Sequence, residues 1–540
     1  MPPRSPKRDV LPTHPNTQPL VVTAVTLVLL LLLFSSFPDV YRITDRHVLD
    51  PTPTCPISPL VESIYAHDVA PRVASDSTPF HYLDFTGSSI YTTTQASEYH
   101  ALLSAGVYGN PHSKSLSSRL STQHVNDMRQ RILEYFNADP DEYMVVFTRS
   151  ATGALNLLGE AFPFTDQSQF VYLEANHNSV LGVRSYAQKA GARVGAMTED
   201  EVERWLASDG DEPSDAWNLL AYPAKDNFEG VLYPLEWIER VHEKKPNWMV
   251  LLDTAAFAPT YRLDLSVVKP DFAVVSWYKV FGLPSGVGSW IVKRSSEKHL
   301  QRVFWGGSSV FTATAGHGAG NAPWEVRFQG EARYEDGTLP FLEIGSLRTG
   351  FDLMDRLGGI DSVQEYVTCL GKYLSSRLQS LRHSNGVALV KLNGKHYTDP
   401  KRQSGIASFQ LVRPEPSNGS PFFSYRTAAL VLAEAGFQIR DGCACCPGAC
   451  YRASNVTEAE VRDKATRANG DYEGWEYVQR GSEKLPLGAL RASLGWLSRA
   501  RDVDALVDFL AATYIDATDD VLPTSRTSGE GGNDASRFGC

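Results

Sequence analysis

From residue 80 onward, short apolar runs alternate with stretches whose apolar positions recur at helical spacing. The runs at 144–147, 170–173, 248–252 and 272–276 are rich in β-branched, leucine and aromatic residues and have the texture of buried strands. Between them, 126–136, 201–207 and 235–243 read as amphipathic helices. Strands alternating with helices predict an α/β domain over 79–350, built on a mostly parallel sheet with helices on its faces. Beyond residue 350 a long helical pattern at 355–381 precedes strands near 387–392 and 406–412, which predicts a smaller α+β domain over 351–516.

The N-terminal part has a different pattern. Residues 1–19 form a polar, proline-rich tail with Arg4, Lys7 and Arg8, followed at 20–37 by an apolar run about long enough to cross a bilayer. A secretory signal peptide would have a shorter apolar core and a small-residue cleavage site, and Ser35-Ser36-Phe37-Pro38 is a poor one. The run is therefore read as a transmembrane helix, a single-pass signal anchor. Arg4, Lys7 and Arg8 on one side against Arg42 and Arg46 on the other place the N-terminus in the cytosol and the body of the protein in the lumen, a cytosolic body being the alternative. The sequons at Asn418 and Asn455 fit the lumenal side. Residues 38–78 read as a linker, and 517–540, rich in Ser, Gly, Thr and Asp, as a disordered tail.

Composition excludes more than it suggests. The 51 Lys and Arg against 62 Asp and Glu leave a net charge of −11, so there is no basic footprint for nucleic acid. Seven cysteines are too few and too unevenly placed to predict a disulfide framework, because Cys443, Cys445, Cys446 and Cys450 crowd one stretch. Such crowding points to chemistry, metal or redox. The spacing C-x-C-C-x-x-x-C has sulfur enough for zinc or an iron–sulfur cluster, although no second cysteine pair or histidine stands nearby.

Three predicted strands end in residues that can carry chemistry. Lys279 follows the run at 272–276 and enters a loop closed by Gly282, Pro284, Gly286 and Gly288; Asp253 ends the run at 248–252; His177 follows the run at 170–173. A fourth strand, 144–147, leads into a helix start at Ser150, Ala151 and Thr152, where outward-pointing N–H groups suit a phosphate. Singly, each has a plain reading: an exposed lysine, a turn aspartate, a surface histidine, a helix capped by Ser150 or Thr152. Together, on the edge where open α/β sheets bind ligands, they make the set that pyridoxal phosphate requires: an anion cradle, a stacking ring, an acid for the pyridine nitrogen and an amine for the aldehyde.

On these residues the chain resembles the fold-type I, class V aminotransferase group that includes the cysteine desulfurases, and most closely the aminotransferase-like part of molybdenum cofactor sulfurases. The likeness runs from about residue 82 to 510 through YLDFTGSS (82–89), GNPHS (109–113), FTRSATGALNLLGEAF (147–162), LLDTAAFAP (251–259), SWYKVFGLPSGVG (276–288), YEDGTLPFLEI (334–344), GFQIRDGCACCPGAC (436–450) and LGALRASLGWLS (487–498). The resemblance implies that Lys279 is the Schiff-base lysine, Asp253 the partner of the pyridinium nitrogen and His177 the stacking ring. It implies phosphate contacts from Ala151, Thr152 and Ser276, with Gly337 and Thr338 reaching the phosphate of the other subunit of a homodimer. Arg491 falls on the arginine that clamps a substrate carboxylate, a bidentate task suited to guanidinium. In Arg440-Asp-Gly-Cys443-Ala-Cys445 the spacing matches the mobile-loop cysteine of desulfurases, which implies that Cys445 is the nucleophile, its thiol favoured by nearby Arg440. The implied reaction takes sulfur from L-cysteine as a persulfide on Cys445, releases alanine and passes the sulfur to an acceptor.

The pattern also departs from the family. Ala256 stands where desulfurases carry glutamine or histidine, Tyr278 where those proper often have histidine, and Cys446, a possible second thiol for resolving the persulfide, where the sulfurase branch usually has asparagine. Molybdenum cofactor sulfurases add a C-terminal MOSC domain that holds the acceptor; none is expected here, which leaves the acceptor open, with molybdenum cofactor one candidate. A C–S lyase or carbon–carbon bond-forming enzyme of secondary metabolism would need Lys279 and Asp253 but not Cys445. A membrane-tethered binding protein would need none of the three.

Overall fold

The computed structural model describes residues 53–73, 79–208, 215–317, 322–468 and 474–523. The tail at 1–19 and the apolar run at 20–37 lie outside the described residues, among which no helix is long and apolar enough to cross a membrane. Residues 524–540 also lie outside them.

All four expected strands form, joined by three others. The strands β1 (Tyr143–Thr148), β2 (Gln169–Leu173), β3 (Arg193–Met197), β4 (Asn218–Pro223), β5 (Trp248–Asp253), β6 (Phe272–Ser276) and β7 (Gly288–Lys293) make one sheet, ordered β1-β7-β6-β5-β4-β2-β3. Strand β7 runs antiparallel to β1 and β6, and every other pair is parallel. Every residue of β4, β5 and β6 is buried, as expected for strands covered on both faces. Alternate residues feed two cores: Val145 and Phe147 enter one with Val125 and Ile132 of α1 (Leu116–Tyr135), while Met144 and Val146 enter the other with Leu155 and Leu158 of α2 (Ala151–Ala161). The expected helices at 201–207 and 235–243 appear as α3 (Glu199–Ala207) and α4 (Trp237–Lys244).

The helix expected over 355–381 forms over Gly359–Ser380, with a further helix before it. After the short helix α5 (Trp277–Phe281), α6 (Phe341–Arg356) ends before Gly358 and Gly359, whose φ values of +85° and +84° break the helix, and α7 (Gly359–Ser380) restarts it. A second sheet follows, with β8 (Val390–Leu392), β9 (Ile406–Ser417), β10 (Ser420–Phe422), β11 (Arg440–Gly442) and β12 (Ala489–Ser493) in the order β8-β9-β12-β11, β10 pairing with β9. Both sheets belong to one compact unit spanning Leu49–Cys540.

Three expectations are corrected. The segment read as a linker is helical from Ser58 to Val73, with Cys55, Val61 and Val69 buried; these anchoring residues are too sparse for a sequence pattern to reveal. The segment read as a tail begins in contact with the body, because Arg413 donates to the Thr518 carbonyl at 2.6 Å and pairs with Asp520 at 2.9 Å. The cysteines do form disulfides, Cys55–Cys369 and Cys443–Cys450, and the first joins residues 314 apart, a pairing that spacing cannot show.

Helix α5 is held by rings. Phe351 of α6 packs against Trp277 and Phe281 with centroids 5.3 and 5.0 Å apart, and against Tyr135 at 5.7 Å. Phe351→Ala is expected to destabilise the protein by about 3–5 kcal/mol in chemical denaturation, since it opens a cavity in a fully packed cluster.

Candidate active site

Because β2, β4, β5 and β6 are parallel, the residues after their C-terminal ends meet on one edge. Asp253 closes β5, is 7% exposed and accepts the Ala255 N–H at 2.9 Å. Burial pushes its carboxyl up, while the Ala255 N–H and the Lys279 ammonium hold it down. Lys279 lies in α5, directly after β6, and burial pushes its amine below the ordinary lysine range. Asp253 and Asp84 oppose that shift, whereas Arg491 and Arg440 add to it.

His177 caps the short helix Asn178–Leu181, its Nδ1 accepting the Ser179 N–H at 3.1 Å. Desolvation first, then Lys279 and Arg491, push the imidazole down to about 4, so the ring is neutral near pH 7. A neutral, partly buried ring suits stacking.

Helix α2 begins at the same edge. Ser150 is its N-cap, with Oγ accepting from Gly153 at 3.2 Å, so the plain capping reading holds for Ser150. The Ala151 N–H donates to Ser276 Oγ at 2.9 Å, and the exposed Thr152 hydroxyl lies 2.8 Å from that of Ser179. Gly288 lets this turn close on the sheet, because a Cβ there would meet the Ser150 backbone at 2.6 Å. Gly337 and Thr338, by contrast, are exposed, and the Thr338 hydroxyl accepts from Asn110 Nδ2 at 3.4 Å.

Arg491 and Arg440 are cross-strand neighbours on β12 and β11. Both converge on Asp84: Arg491 at 2.6 Å, Arg440 at 3.0 and 3.1 Å. Arg491 also donates to the Asn227 carbonyl at 2.7 Å, and Asn227 Nδ2 donates to the Ala444 carbonyl. The cysteine loop is thereby docked at the site, and the Asn178 N–H fixes the Cys445 carbonyl at 2.8 Å. Cys445 stays outside both disulfides, is partly exposed and stands within electrostatic reach of Arg440 and Tyr278. Cys446 differs. It is 0% exposed, its Sγ donates to the Ala175 carbonyl at 3.2 Å, and burial with Asp226 and Glu229 nearby pushes its thiol up. Burial therefore argues against the resolving role considered for it, and the Cys443–Cys450 bond removes two sulfurs from the four-cysteine metal reading.

Sequence reasoning brought Lys279, Asp253, His177, Arg491, Arg440 and Cys445 to one place and missed Asp84, Lys225 and Asn227. Asp84 sits in the YLDFTGSS stretch, which carries a family likeness but no strand-end pattern. Lys225 and Asn227 follow β4, whose apolar run NLLAYP is the signal that places them on the edge.

The neutral His177 carries a pH signature. Its folded-state value of about 4 lies below the unfolded value of 6.5, so the unfolded chain binds the extra proton and stability falls as pH drops through that window. Between about pH 7 and pH 5, wild type is expected to lose on the order of 2 kcal/mol more than His177→Gln in urea denaturation. Equal losses would contradict a neutral buried ring.

The aminotransferase class-V family model matches residues 81–506. The molybdenum cofactor sulfurase of Arabidopsis thaliana is 32% identical over 471 residues, covering 80% of this chain and 56% of that protein, and its counterpart in Bos taurus is 32% identical over 472 residues, covering 84% and 52%. The chain thus spans about half the length of these relatives. Among solved structures, the cysteine desulfurase from Thermococcus onnurineus NA1 superposes with a TM-score of 0.65 at 17% identity, over 84% of this chain and 98% of that one, which shows a shared fold. With the sheet order, the residues gathered at its edge and a match across most of its length, the chain belongs to the aminotransferase class-V family.

Proposed function

We propose that the protein is a pyridoxal-phosphate-dependent sulfurtransferase of the cysteine desulfurase and molybdenum cofactor sulfurase type, taking sulfur from L-cysteine onto Cys445 and releasing alanine. The observation that carries this reading is the placement of the Cys445 thiol: outside both disulfides, partly exposed, beside Arg440, on a loop bound through Asn227 and Asn178 to the edge that holds Lys279.

The residues fit the cofactor and its substrate. Arg491 is 2% exposed, and its Nε has no hydrogen-bond partner among the described residues, an orphaned donor that a substrate carboxylate would satisfy. Lys279, Asp253, His177, Ala151, Thr152 and Ser276 would hold the cofactor. When bound, pyridoxal phosphate supplies an aldehyde for amine capture and a ring that draws electrons from the substrate α-carbon. Lys279, with its lowered proton affinity, can hold the aldehyde and afterwards carry the α-proton. Asp253 offers a carboxylate to the ring nitrogen, and neutral His177 covers the ring face. The Cys445 thiolate, within electrostatic reach of Arg440, attacks the substrate sulfur. A sulfur–sulfur bond forms on Cys445, the carbon–sulfur bond breaks with its electron pair left on carbon, and a proton delivered there completes alanine.

The exposed Gly337 and Thr338 support a homodimer in which each copy completes the phosphate site of the other. The apolar run at 20–37 supports a membrane tether, and two disulfides with exposed Asn418 and Asn455 support a lumenal body. Molybdenum cofactor is one candidate for the sulfur acceptor.

The test uses the full chain with L-cysteine and a thiol reductant, assaying alanine and sulfide. Equal yields are expected, falling at least about a hundredfold in Cys445→Ala. Pyruvate with ammonia in place of alanine would mark a C–S lyase instead, and activity indifferent to Cys445→Ala would overturn the persulfide reading.

A further inference from the structure

The helix Pro447–Ala453 follows the cysteine loop directly and carries Arg452, a residue to which the sulfur chemistry gives no task. Its guanidinium pairs with two carboxylates from distant parts of the chain, Nη1 with Glu174 and Nη2 with Glu229 at 2.5 Å. Glu174 directly follows β2 and precedes His177 by three residues; Glu229 follows Asn227, whose amide holds the Ala444 carbonyl, by two. One guanidinium therefore ties the base of the cysteine loop to both segments that frame the site. The two carboxylates are themselves anchored. The Glu174 N–H donates to the Met197 carbonyl at 2.9 Å, the Glu229 N–H donates to Asp226 Oδ1 at 2.6 Å, and the Glu229 carbonyl accepts from Gln403 Nε2 at 2.7 Å. The loop is also fitted closely to residues 174–178. A Cβ on Gly448 would collide with the Glu174 carbonyl oxygen, Cys446 Sγ donates to the Ala175 carbonyl at 3.2 Å, and the Cys445 carbonyl accepts the Asn178 N–H at 2.8 Å. Arg452 adds charge to these neutral contacts. Glu229 is buried; burial and Asp226 push its carboxyl up, and Arg452 opposes them. Opening that pair would leave a desolvated carboxylate uncompensated, which favours the closed arrangement. The Arg452 side chain itself is 43% exposed, so its replacement opens no cavity in the core.

We propose that Arg452 is the positioning residue for Cys445: by bridging Glu174 and Glu229 it holds the cysteine loop against the sheet edge, so that the thiol meets the sulfur of a substrate bound there. Arg452 acts through the loop and not on the substrate. Its contribution is one of orientation, for which a displacement of about 1 Å costs on the order of a hundredfold in rate. The proposal rests on the reading of Cys445 as the thiol that takes sulfur from L-cysteine.

The experiment measures alanine formed in a single turnover by the full chain loaded with pyridoxal phosphate, over a series of L-cysteine concentrations. Reductant is left out so that the Cys443–Cys450 bond stays closed. Arg452→Met is expected to lower the maximal rate at least about tenfold, while the half-saturating L-cysteine concentration and the bound pyridoxal absorbance stay within about twofold of wild type. A second variant separates positioning from the cost of a bare buried carboxylate. The triple change Glu174→Gln, Glu229→Gln and Arg452→Met leaves no charge uncompensated yet removes the bridge, and its rate is expected to stay low. Recovery of the rate in the triple variant, or losses in both variants matched by lost pyridoxal absorbance, marks a merely structural role and overturns the inference. An unchanged rate in Arg452→Met also overturns it, while the sulfur reading stands. A wild type that forms no alanine, or forms it equally well in Cys445→Ala, overturns the sulfur reading and this inference with it.

Discussion

Two cations, Lys279 and Arg491, share one desolvated cleft, and much of the surrounding structure is the means of keeping them there. Each depends on a carboxylate: Asp253 acts on Lys279, and Asp84 pairs with Arg491 at 2.6 Å. Neither cation is fully neutralised. Burial and mutual repulsion still lower the proton affinity of Lys279, and Arg491 Nε has no hydrogen-bond partner among the described residues. Such poise is tolerable only in a rigid frame, because a buried charge with incomplete partners would otherwise draw in water or shift its proton. Parallel strands supply the frame by ending several rigid elements on one edge, and the ring cluster of Trp277, Phe281, Phe351 and Tyr135 fixes the short helix that carries Lys279.

The cysteine loop extends the same economy of placement across the second sheet. The Cys443–Cys450 bond brackets two adjacent thiols that the fold treats oppositely. Cys446 turns inward to Ala175 and is held protonated by burial and nearby carboxylates, whereas Cys445, with φ of +57°, is partly exposed beside Arg440. Sequence adjacency therefore says little about reactivity here; the local field does. Cys55–Cys369 does a different job, tying the N-terminal helical segment to α7.

Much of this was legible in the chain. The strands that end at Asp253 and Ser276 announce themselves as continuous apolar runs, as parallel strands covered on both faces must. Strand β3, RVGAM, did not: it is an edge strand with exposed residues and no apolar alternation. Strand β4, which carries Lys225 and Asn227 to the edge, has in NLLAYP a run as apolar as its neighbours. The start of α7 rests on two consecutive glycines at positive φ, which set it four residues later than the helical pattern alone begins it. The disulfide spanning 314 residues, and the joint pairing of Asp84 with two arginines from the other end of the chain, are products of tertiary structure, which local pattern cannot encode.

Where the sulfur goes decides which reaction the site performs. Peptide mass spectrometry of the full chain after a single turnover with sulfur-labelled L-cysteine, quenched by alkylation without reductant, answers that directly. One added sulfur atom on the peptide thiol of Cys445, absent when Lys279 is replaced by alanine, is the predicted result. A label found on Cys446, or no sulfur retained on the loop while the substrate is consumed, would contradict it.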